Sequence, residues 1–223
     1  MSGVEEEDAE RIVREFHDLY CRSHDRTWKN TRWLGVGAIK CPFDLWTYQE
    51  LLFELRPDGI VETGTHLGGS AYFMAAICDM LGHGRIVTVD IRAASNRPVH
   101  PRITYVTGPS TAPETLEAVN RSLAECDRET VMVVLDSHHR RDHVLEELRL
   151  YSPLVTPGSY LIVEDTNINS WRPVDRRKPG PLEAVHDFLA SDERFETDRS
   201  REQFFVTFNP SGYLRRRKDS GGS

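Results

Sequence analysis

Three acidic side chains stand at the ends of two apolar runs. Asp136 follows Val131–Leu135, and Glu164 and Asp165 close a second run that ends 28 positions after Asp136. If both runs are buried strands of a parallel sheet, their carboxyl ends meet at the edge where open α/β sheets bind ligands. Carboxylate oxygens suit a hard divalent cation such as Mg²⁺, so these three residues are the predicted metal ligands. His139 follows Asp136 closely enough to act on whatever the metal holds, which indicates metal-assisted chemistry.

A glycine-rich turn follows an earlier apolar run. Gly64 would let the backbone turn sharply, and Gly68 and Gly69 permit close helix packing. The spacing is neither the dinucleotide fingerprint nor a phosphate-binding loop. Glu62, two residues before the first glycine, argues against a pyrophosphate and favours a cationic amine, such as the one in the methionine part of S-adenosylmethionine.

Two further strand ends could hold the rest of an adenosyl cofactor. Asp90 ends the next predicted strand, where its carboxylate can accept both ribose hydroxyls, and Ser110 follows a third strand where adenine could be gripped. Taken singly, the glycines could be ordinary turn residues and Asp90 a helix cap. Their occurrence at successive strand ends favours S-adenosylmethionine. The predicted cofactor-binding residues are Glu62, Gly64, Thr65, Gly68, Ser70, Asp90, Ser110 and Asp136.

The elements that position these residues alternate between short apolar runs and amphipathic segments. The predicted strands are Ile60–Thr63, Arg85–Asp90, Ile103–Val106, Val131–Asp136 and Ser159–Glu164, with a late strand over Phe204–Phe208. The predicted helices are Ala9–Arg22, Pro42–Leu55, Ser70–Leu81, Pro113–Cys126, His143–Tyr151 and Leu182–Leu189. This alternation predicts an α/β fold with a mostly parallel central sheet and helices on both faces.

The composition narrows the possible partners and location. The 223 residues carry a net charge of −7, which gives a nucleic-acid partner no general electrostatic support. No apolar stretch approaches the roughly 20 residues of a membrane span, and the N-terminus does not read as a signal peptide. The four scattered cysteines indicate reduced thiols. We therefore expect a cytoplasmic protein without nucleic-acid or membrane partners.

Five blocks of the sequence carry a family resemblance. They are Trp28–Gly35, Lys40–Trp46, Val61–Thr65, Pro157–Thr166 and Phe208–Leu214. Together they resemble the cephalosporin hydroxylase-like family, also called rhamnosyl O-methyltransferases, from about Thr27 to Arg216. The resemblance implies a Rossmann-like class I methyltransferase fold and a Mg²⁺-dependent transfer of a methyl group from S-adenosylmethionine in a natural-product pathway.

The site layout also resembles that of catechol O-methyltransferases. There an Asp ends the fourth strand, a basic residue follows at +3, and an acid/amide pair ends the fifth strand. The resemblance implies that Mg²⁺ binds the acceptor hydroxyl and that His139 removes its proton as general base. Where the family usually reads Asp-Ser-Asp-His, this chain has His138 in place of the second Asp.

The predicted strands and helices also indicate the domain boundaries. We expect a helical extension over residues 1–56, which caps the substrate or mediates oligomer contacts, a catalytic domain over 57–214 and a disordered tail over 215–223. The long polar connection Asn167–Pro181 is either a lid or a solvated loop. Trp28, Trp33 and Trp46 could shape the acceptor pocket, but core or interface packing is expected for at least two of them.

The predicted acceptor is a hydroxylated small molecule such as a sugar, a glycoside or a polyketide-type intermediate, bound by a homo-oligomer. Two other function classes stay open. A non-haem iron hydroxylase would need two histidines and one carboxylate around the metal. A non-catalytic protein could bind the cofactor and support a separate biosynthetic enzyme.

Overall fold

A seven-stranded sheet forms the centre of the protein in the computed structural model, which describes residues 6–168 and 178–218. In chain order its strands are β3 (Gly59–Thr63), β4 (Arg85–Asp90), β5 (Ile103–Thr107), β6 (Val131–Leu135), β7 (Tyr160–Val163), β8 (Phe195–Thr197) and β9 (Tyr213–Arg216). The spatial order is β5-β4-β3-β6-β7-β9-β8, parallel from β5 to β7 and antiparallel at β9 and β8. A separate hairpin pairs β1 (Arg32–Trp33) with β2 (Val36–Gly37).

Helices cover both faces of this sheet. Those that the structure describes are α1 (Glu6–Arg22), α2 (Pro42–Leu55), α3 (Gly69–Leu81), α4 (Pro113–Leu123), α5 (Arg141–Tyr151) and α6 (Pro181–Ser191). Side chains of α2 and α3 form the core on one face, and those of α4, α5 and α6 form the core on the other. The predicted mostly parallel α/β fold is confirmed. Within the described ranges, no helix is long and apolar enough to cross a membrane.

The strand register sets the position of the candidate site. Thr63 of β3 lies opposite Leu135 of β6, and Leu135 lies opposite Val163 of β7. Every residue of these three strands is buried, as expected for central parallel strands covered on both faces. The next residue of each strand therefore emerges at the same level of one sheet edge.

The late strand predicted over Phe204–Phe208 is wrong, because this segment is an irregular loop. The Asp44 side chain accepts hydrogen bonds from the Phe208 N–H and the Thr207 hydroxyl, which takes these groups away from strand pairing. Phe205 has φ +64°, a left-handed conformation that interrupts an extended chain. The antiparallel edge is formed instead by β8 and β9 on either side of this loop.

The boundary of the predicted tail also differs. Arg215 and Arg216 belong to β9, where Arg215 pairs with Tyr160 on one side and with Glu196 on the other. Two ladders of backbone hydrogen bonds therefore order the first residues that were expected in a disordered tail. Of the predicted lid, residues 169–177, including Trp171, lie outside the described residues, as do 219–223 of the tail.

Candidate active site

A cavity of about 600 Å³ lies beyond the carboxyl ends of β3, β4 and β6. This volume is in the range of about 300–1,000 Å³ that small-molecule sites have. The residues that line it are Trp28, Gly37–Ile39, Gly64–Leu67, Ser70, Asp90–Ala94, Arg97, Asp136, Ser137, His139, Asp165 and Phe208. The structure thus brings five of the eight predicted cofactor-binding residues to one cavity, at the edge where open α/β sheets bind ligands.

The turn after β3 forms the floor of this cavity. The N–H groups of Gly64 and Thr65 both donate to the carbonyl of Val89, so the turn is tied to the neighbouring strand. Gly64 has φ +93°, and a Cβ atom there would overlap the carbonyl oxygen of Asp136. The glycine is therefore required for the close approach of the β3 and β6 strand ends.

Glu62 does not reach the cavity. It is fully buried, and its carboxylate accepts hydrogen bonds from Ser70 Oγ at 2.5 Å and from Thr88 Oγ1 at 2.6 Å. Burial raises the pKa of this carboxyl. Glu62 therefore fixes the side chain of Ser70, which lines the cavity at the start of α3. The sequence predicted a direct contact between Glu62 and the cofactor, whereas in this geometry Glu62 supports a residue that lines the cavity.

Gly68 and Ser110 are not among the residues that line the cavity. Gly68 caps the N-terminus of α3 with φ +81°. The hydroxyl of Ser110 lies 3.2 Å from Nε2 of His143, and its carbonyl accepts a hydrogen bond from Tyr151.

The carboxylate of Asp90 faces the cavity from the end of β4. Oδ2 accepts a hydrogen bond from the N–H of His66 at 2.8 Å, and Oδ1 accepts one from the N–H of Arg92 at 2.9 Å. Arg97 adds an ion pair to Oδ2 at 3.0 Å. The predicted helix-cap alternative does not apply, because Asp90 organises a loop that borders the cavity.

A second group of side chains could hold a cation. One ligand atom each of Asp136, His139 and Asp165 lies within 4.8 Å of the others. The N–H of Asp136 continues the sheet by donating to the carbonyl of Thr63 at 3.0 Å. Asp165 has φ +56° and its N–H donates to Oδ1 of Asn209, which turns the chain out of β7. The chemistry of this donor set suits Mg²⁺ through its carboxylate oxygens.

The third predicted ligand, Glu164, points to the interior side of this group. Its Oε1 accepts a hydrogen bond from the hydroxyl of Tyr48 at 2.5 Å, and its Oε2 lies 2.5 Å from Nζ of Lys40. The same Nζ atom lies 2.5 Å from Oδ2 of Asp136. Lys40 therefore joins the carboxylates that follow β6 and β7.

Lys40 is the main residue that sequence reasoning missed. Its side chain is 4% exposed, and it enters the site from the connection between β2 and α2. Burial alone would lower the pKa of Lys40, but the charges of Asp136 and Glu164 outweigh this effect and raise it. Burial raises the pKa of both carboxyls, whereas Lys40 opposes that rise. The Lys40 ammonium therefore balances part of the negative charge of this carboxylate cluster.

His138 lies apart from the acidic group. Its ring packs 5.1 Å from that of His143, and its Nδ1 accepts a hydrogen bond from the N–H of Arg140. Among the described residues, the cation group thus contains one histidine and two carboxylates. A non-haem iron triad of two histidines and one carboxylate does not match this arrangement.

Aromatic side chains close the opposite wall. The rings of Trp28 and Phe208 meet edge to face with centroids 6.0 Å apart, and both line the cavity. Trp33 packs instead against Phe73, and the side chain of Trp46 is exposed. Of the three N-terminal tryptophans, Trp28 is the one in position to contact a ligand.

The model of the family described as rhamnosyl O-methyltransferase/CmcI matches residues 25–217.

The chain belongs to this family.

Its curated relatives include the rhamnosyl O-methyltransferase of Mycobacterium leprae, which is 35% identical over 97% of this chain and 96% of its own length. The rhamnosyl O-methyltransferase of Mycobacterium tuberculosis H37Rv is 34% identical over 92% of this chain and 85% of its own. Family membership thus confirms the resemblance carried by the five sequence blocks.

Solved structures show the same fold. A structure of CmcI with Mg and SAM superposes with a TM-score of 0.66 at 23% identity, over 84% of this chain and 77% of the other. MycE, a methyltransferase of the mycinamycin pathway in complex with Mg, SAH and mycinamycin VI, superposes with a TM-score of 0.55 at 21% identity, over 79% and 50%. These neighbours confirm the class I methyltransferase fold.

Proposed function

We propose that the protein is an S-adenosylmethionine-dependent, Mg²⁺-assisted O-methyltransferase that acts on a hydroxyl of a sugar or of another natural-product intermediate. The observation that carries this proposal is that the glycine turn and Asp90 share one cavity with Asp136, His139 and Asp165. A cofactor and an activated hydroxyl can therefore meet there. Membership of the rhamnosyl O-methyltransferase/CmcI family, and relatives solved with Mg and SAM, support both cofactors.

The residues can be assigned to the steps of an in-line displacement. The bond from sulfur to the methyl carbon breaks, a bond from carbon to the acceptor oxygen forms, and the hydroxyl proton must leave. A bound Mg²⁺ supplies a Lewis acid that orients the hydroxyl and lowers its pKa. Asp136 and Asp165 would hold this ion, with Glu164 as the third carboxylate of the cluster.

His139 is the proposed general base. Its Nε2 lies 3.5 Å from Oδ2 of Asp165, so the carboxylate can orient the ring through Nε2. The other ring nitrogen, Nδ1, would then accept the hydroxyl proton. A vicinal diol or hydroxy-carbonyl group would offer the ion two neighbouring oxygens. Trp28 and Phe208 present aromatic surface beside this position, which suits the apolar face of a sugar ring.

We also propose that the protein acts as a homo-oligomer and in the cytoplasm. The support for self-association is apolar surface on two helices, because Ile12 and Leu19 of α1 and Trp46 and Phe53 of α2 are all more than half exposed. Light scattering coupled to size exclusion would test this, and a monomer at micromolar concentration would contradict it.

Isothermal titration with S-adenosylhomocysteine tests the cofactor assignment. We expect micromolar binding by the wild-type protein, and Mg²⁺ titrated in the presence of this product should bind at the acidic group. Absence of binding to both S-adenosylhomocysteine and S-adenosylmethionine, in protein shown to be folded, would overturn the proposed function.

A further inference from the structure

Arg97 is a buried arginine in the wall of the cavity, separate from the residues assigned above to the cofactor, the metal ion and the base. Its side chain is 5% exposed although it comes from the irregular connection between β4 and β5. A buried guanidinium is retained only where its donors find partners. The partners of Arg97 show what it does.

Arg97 and Asp90 hold the backbone of His66 on both sides of its Cα atom. A terminal nitrogen of Arg97 lies 3.0 Å from Oδ2 of Asp90, and its Nε donates to the carbonyl of His66 at 2.9 Å. The N–H of His66 donates to Asp90 in turn. His66 has φ +47°, a conformation that a non-glycine residue keeps only when its surroundings hold it.

The ring of Tyr105 in β5 supports the guanidinium from the sheet side. The central carbon of Arg97 lies 5.7 Å from the ring centroid, and the tyrosine hydroxyl is fixed by the carbonyl of Pro98. Arg97 is therefore held by aromatic, ionic and backbone contacts at once.

These contacts decide how Asp90 can meet a ligand. Each carboxylate oxygen has two acceptor positions. Oδ2 accepts the hydrogen bond from the N–H of His66 and also lies 3.0 Å from the Arg97 guanidinium, whereas Oδ1 accepts one hydrogen bond, from the N–H of Arg92. Oδ1 is thus the less crowded of the two oxygens and has more room to accept a hydroxyl of a ligand.

We propose that Arg97 is a positioning residue for the adenosyl cofactor, which it serves by fixing the Asp90 carboxylate with Oδ1 turned to a ribose hydroxyl. This inference rests on the proposed function, since it assumes that the cavity takes the cofactor. It adds to the cofactor site a residue that cofactor binding alone does not imply.

A double-mutant cycle on S-adenosylhomocysteine affinity tests the proposal. Calorimetric Kd values are compared for the wild type, Arg97→Met, Asp90→Ala and the double variant. We expect Arg97→Met to weaken binding about 10-fold in the wild-type background and about 2-fold or less in the Asp90→Ala background, as for residues of one hydrogen-bond network. A purely structural role of Arg97 would give the same loss in both backgrounds.

Two further variants keep this test decisive. Arg102→Met removes an arginine that pairs with Asp79 away from the cavity and should leave the Kd unchanged. If Arg97→Met does not fold, Arg97→Lys keeps the charge near Asp90 but loses the fork of donors, and should still weaken binding several-fold.

The outcomes separate this inference from the proposed function. Wild-type binding together with an unchanged Kd in Arg97→Met, or equal losses in both backgrounds, would overturn the role of Arg97 and leave the methyltransferase proposal intact. Failure of the wild type to bind would overturn both.

Discussion

Replacing Lys40 with Met removes the only buried cation that the described residues place between Asp136 and Glu164. Its Nζ lies 2.5 Å from each carboxylate, and the Lys40 side chain is 4% exposed. Methionine has a similar length and fills the same space without charge. The substitution therefore leaves the buried carboxylate of Glu164 and the mostly buried carboxylate of Asp136 facing each other without the charge of Lys40.

The expected loss is large because the remaining partners are buried. Removing one partner of a buried ion pair costs about 3–5 kcal/mol. For a domain of this size, 1 kcal/mol shifts the melting temperature by about 2–4 °C, so we expect a decrease of about 6–20 °C. The decrease should be smaller at low pH, because the stranded carboxyls can then be protonated.

Thermal melts followed by circular dichroism measure this effect, in chelator and in Mg²⁺. A bound dication can take over the neutralisation, so Mg²⁺ should raise the melting temperature of Lys40→Met more than that of the wild type. At about 100 times Kd such binding adds about 2.7 kcal/mol. Lys29→Met is the control, since this lysine is 3.9 Å from Asp25 at the surface. If Lys40→Met has the same melting temperature as the wild type, Lys40 does not neutralise the two carboxylates.

Three further predictions follow from buried or clustered groups. Burial raises the pKa of Asp44 to about 7, so its stabilising contribution is complete below about pH 4 and is lost as the pH rises to about 7, on the order of 4 kcal/mol. Urea denaturation across this range should show a steeper loss of stability in the wild type than in Asp44→Asn, in which the other buried carboxyls still titrate, and parallel curves would contradict the role of Asp44. His139→Ala should reduce methyl transfer by about 10²–10⁴-fold with little change in Mg²⁺ affinity, whereas a matching loss of Mg²⁺ binding in calorimetry would make His139 a ligand rather than the base. Asp165→Asn should weaken Mg²⁺ binding by about 10–100-fold. Glu164→Gln should weaken it by less, because Lys40 lies between Glu164 and Asp136. Equal losses in the two variants would indicate that Glu164 is a direct ligand.

Local patterns were enough to predict most of the fold. The bounds of α2 and β4 agree with the prediction, because Pro42 marks the first turn of a helix and the apolar run from Ile86 has clear ends. The loop over Phe204–Phe208 was mistaken for a strand, since its aromatic residues have the composition of one. Its conformation depends on Asp44, more than 160 positions away in the chain.

Part of the candidate site could likewise be predicted from local sequence patterns, and part could not. Strand ends placed Asp90, Asp136 and Asp165 correctly at one edge, because the register of a parallel sheet follows from the strands themselves. Lys40 lies 96 positions from Asp136, and no local pattern connects the two. The interior orientation of Glu62 likewise depends on hydroxyls of α3 and β4 that only the folded chain brings to it.

The most direct test of the central claim is methyl transfer to a rhamnosyl glycoside, followed by mass spectrometry. Wild-type protein with S-adenosylmethionine and Mg²⁺ should add one methyl group to a sugar hydroxyl, and chelator or Asp136→Asn should abolish the product. Asp79→Asn, which removes a carboxylate from a surface ion pair, should retain activity. Product formation that is unaffected by both chelator and Asp136→Asn would contradict the metal-assisted mechanism. No transfer to any hydroxylated acceptor, by protein that binds the cofactor, would contradict the assignment as an O-methyltransferase.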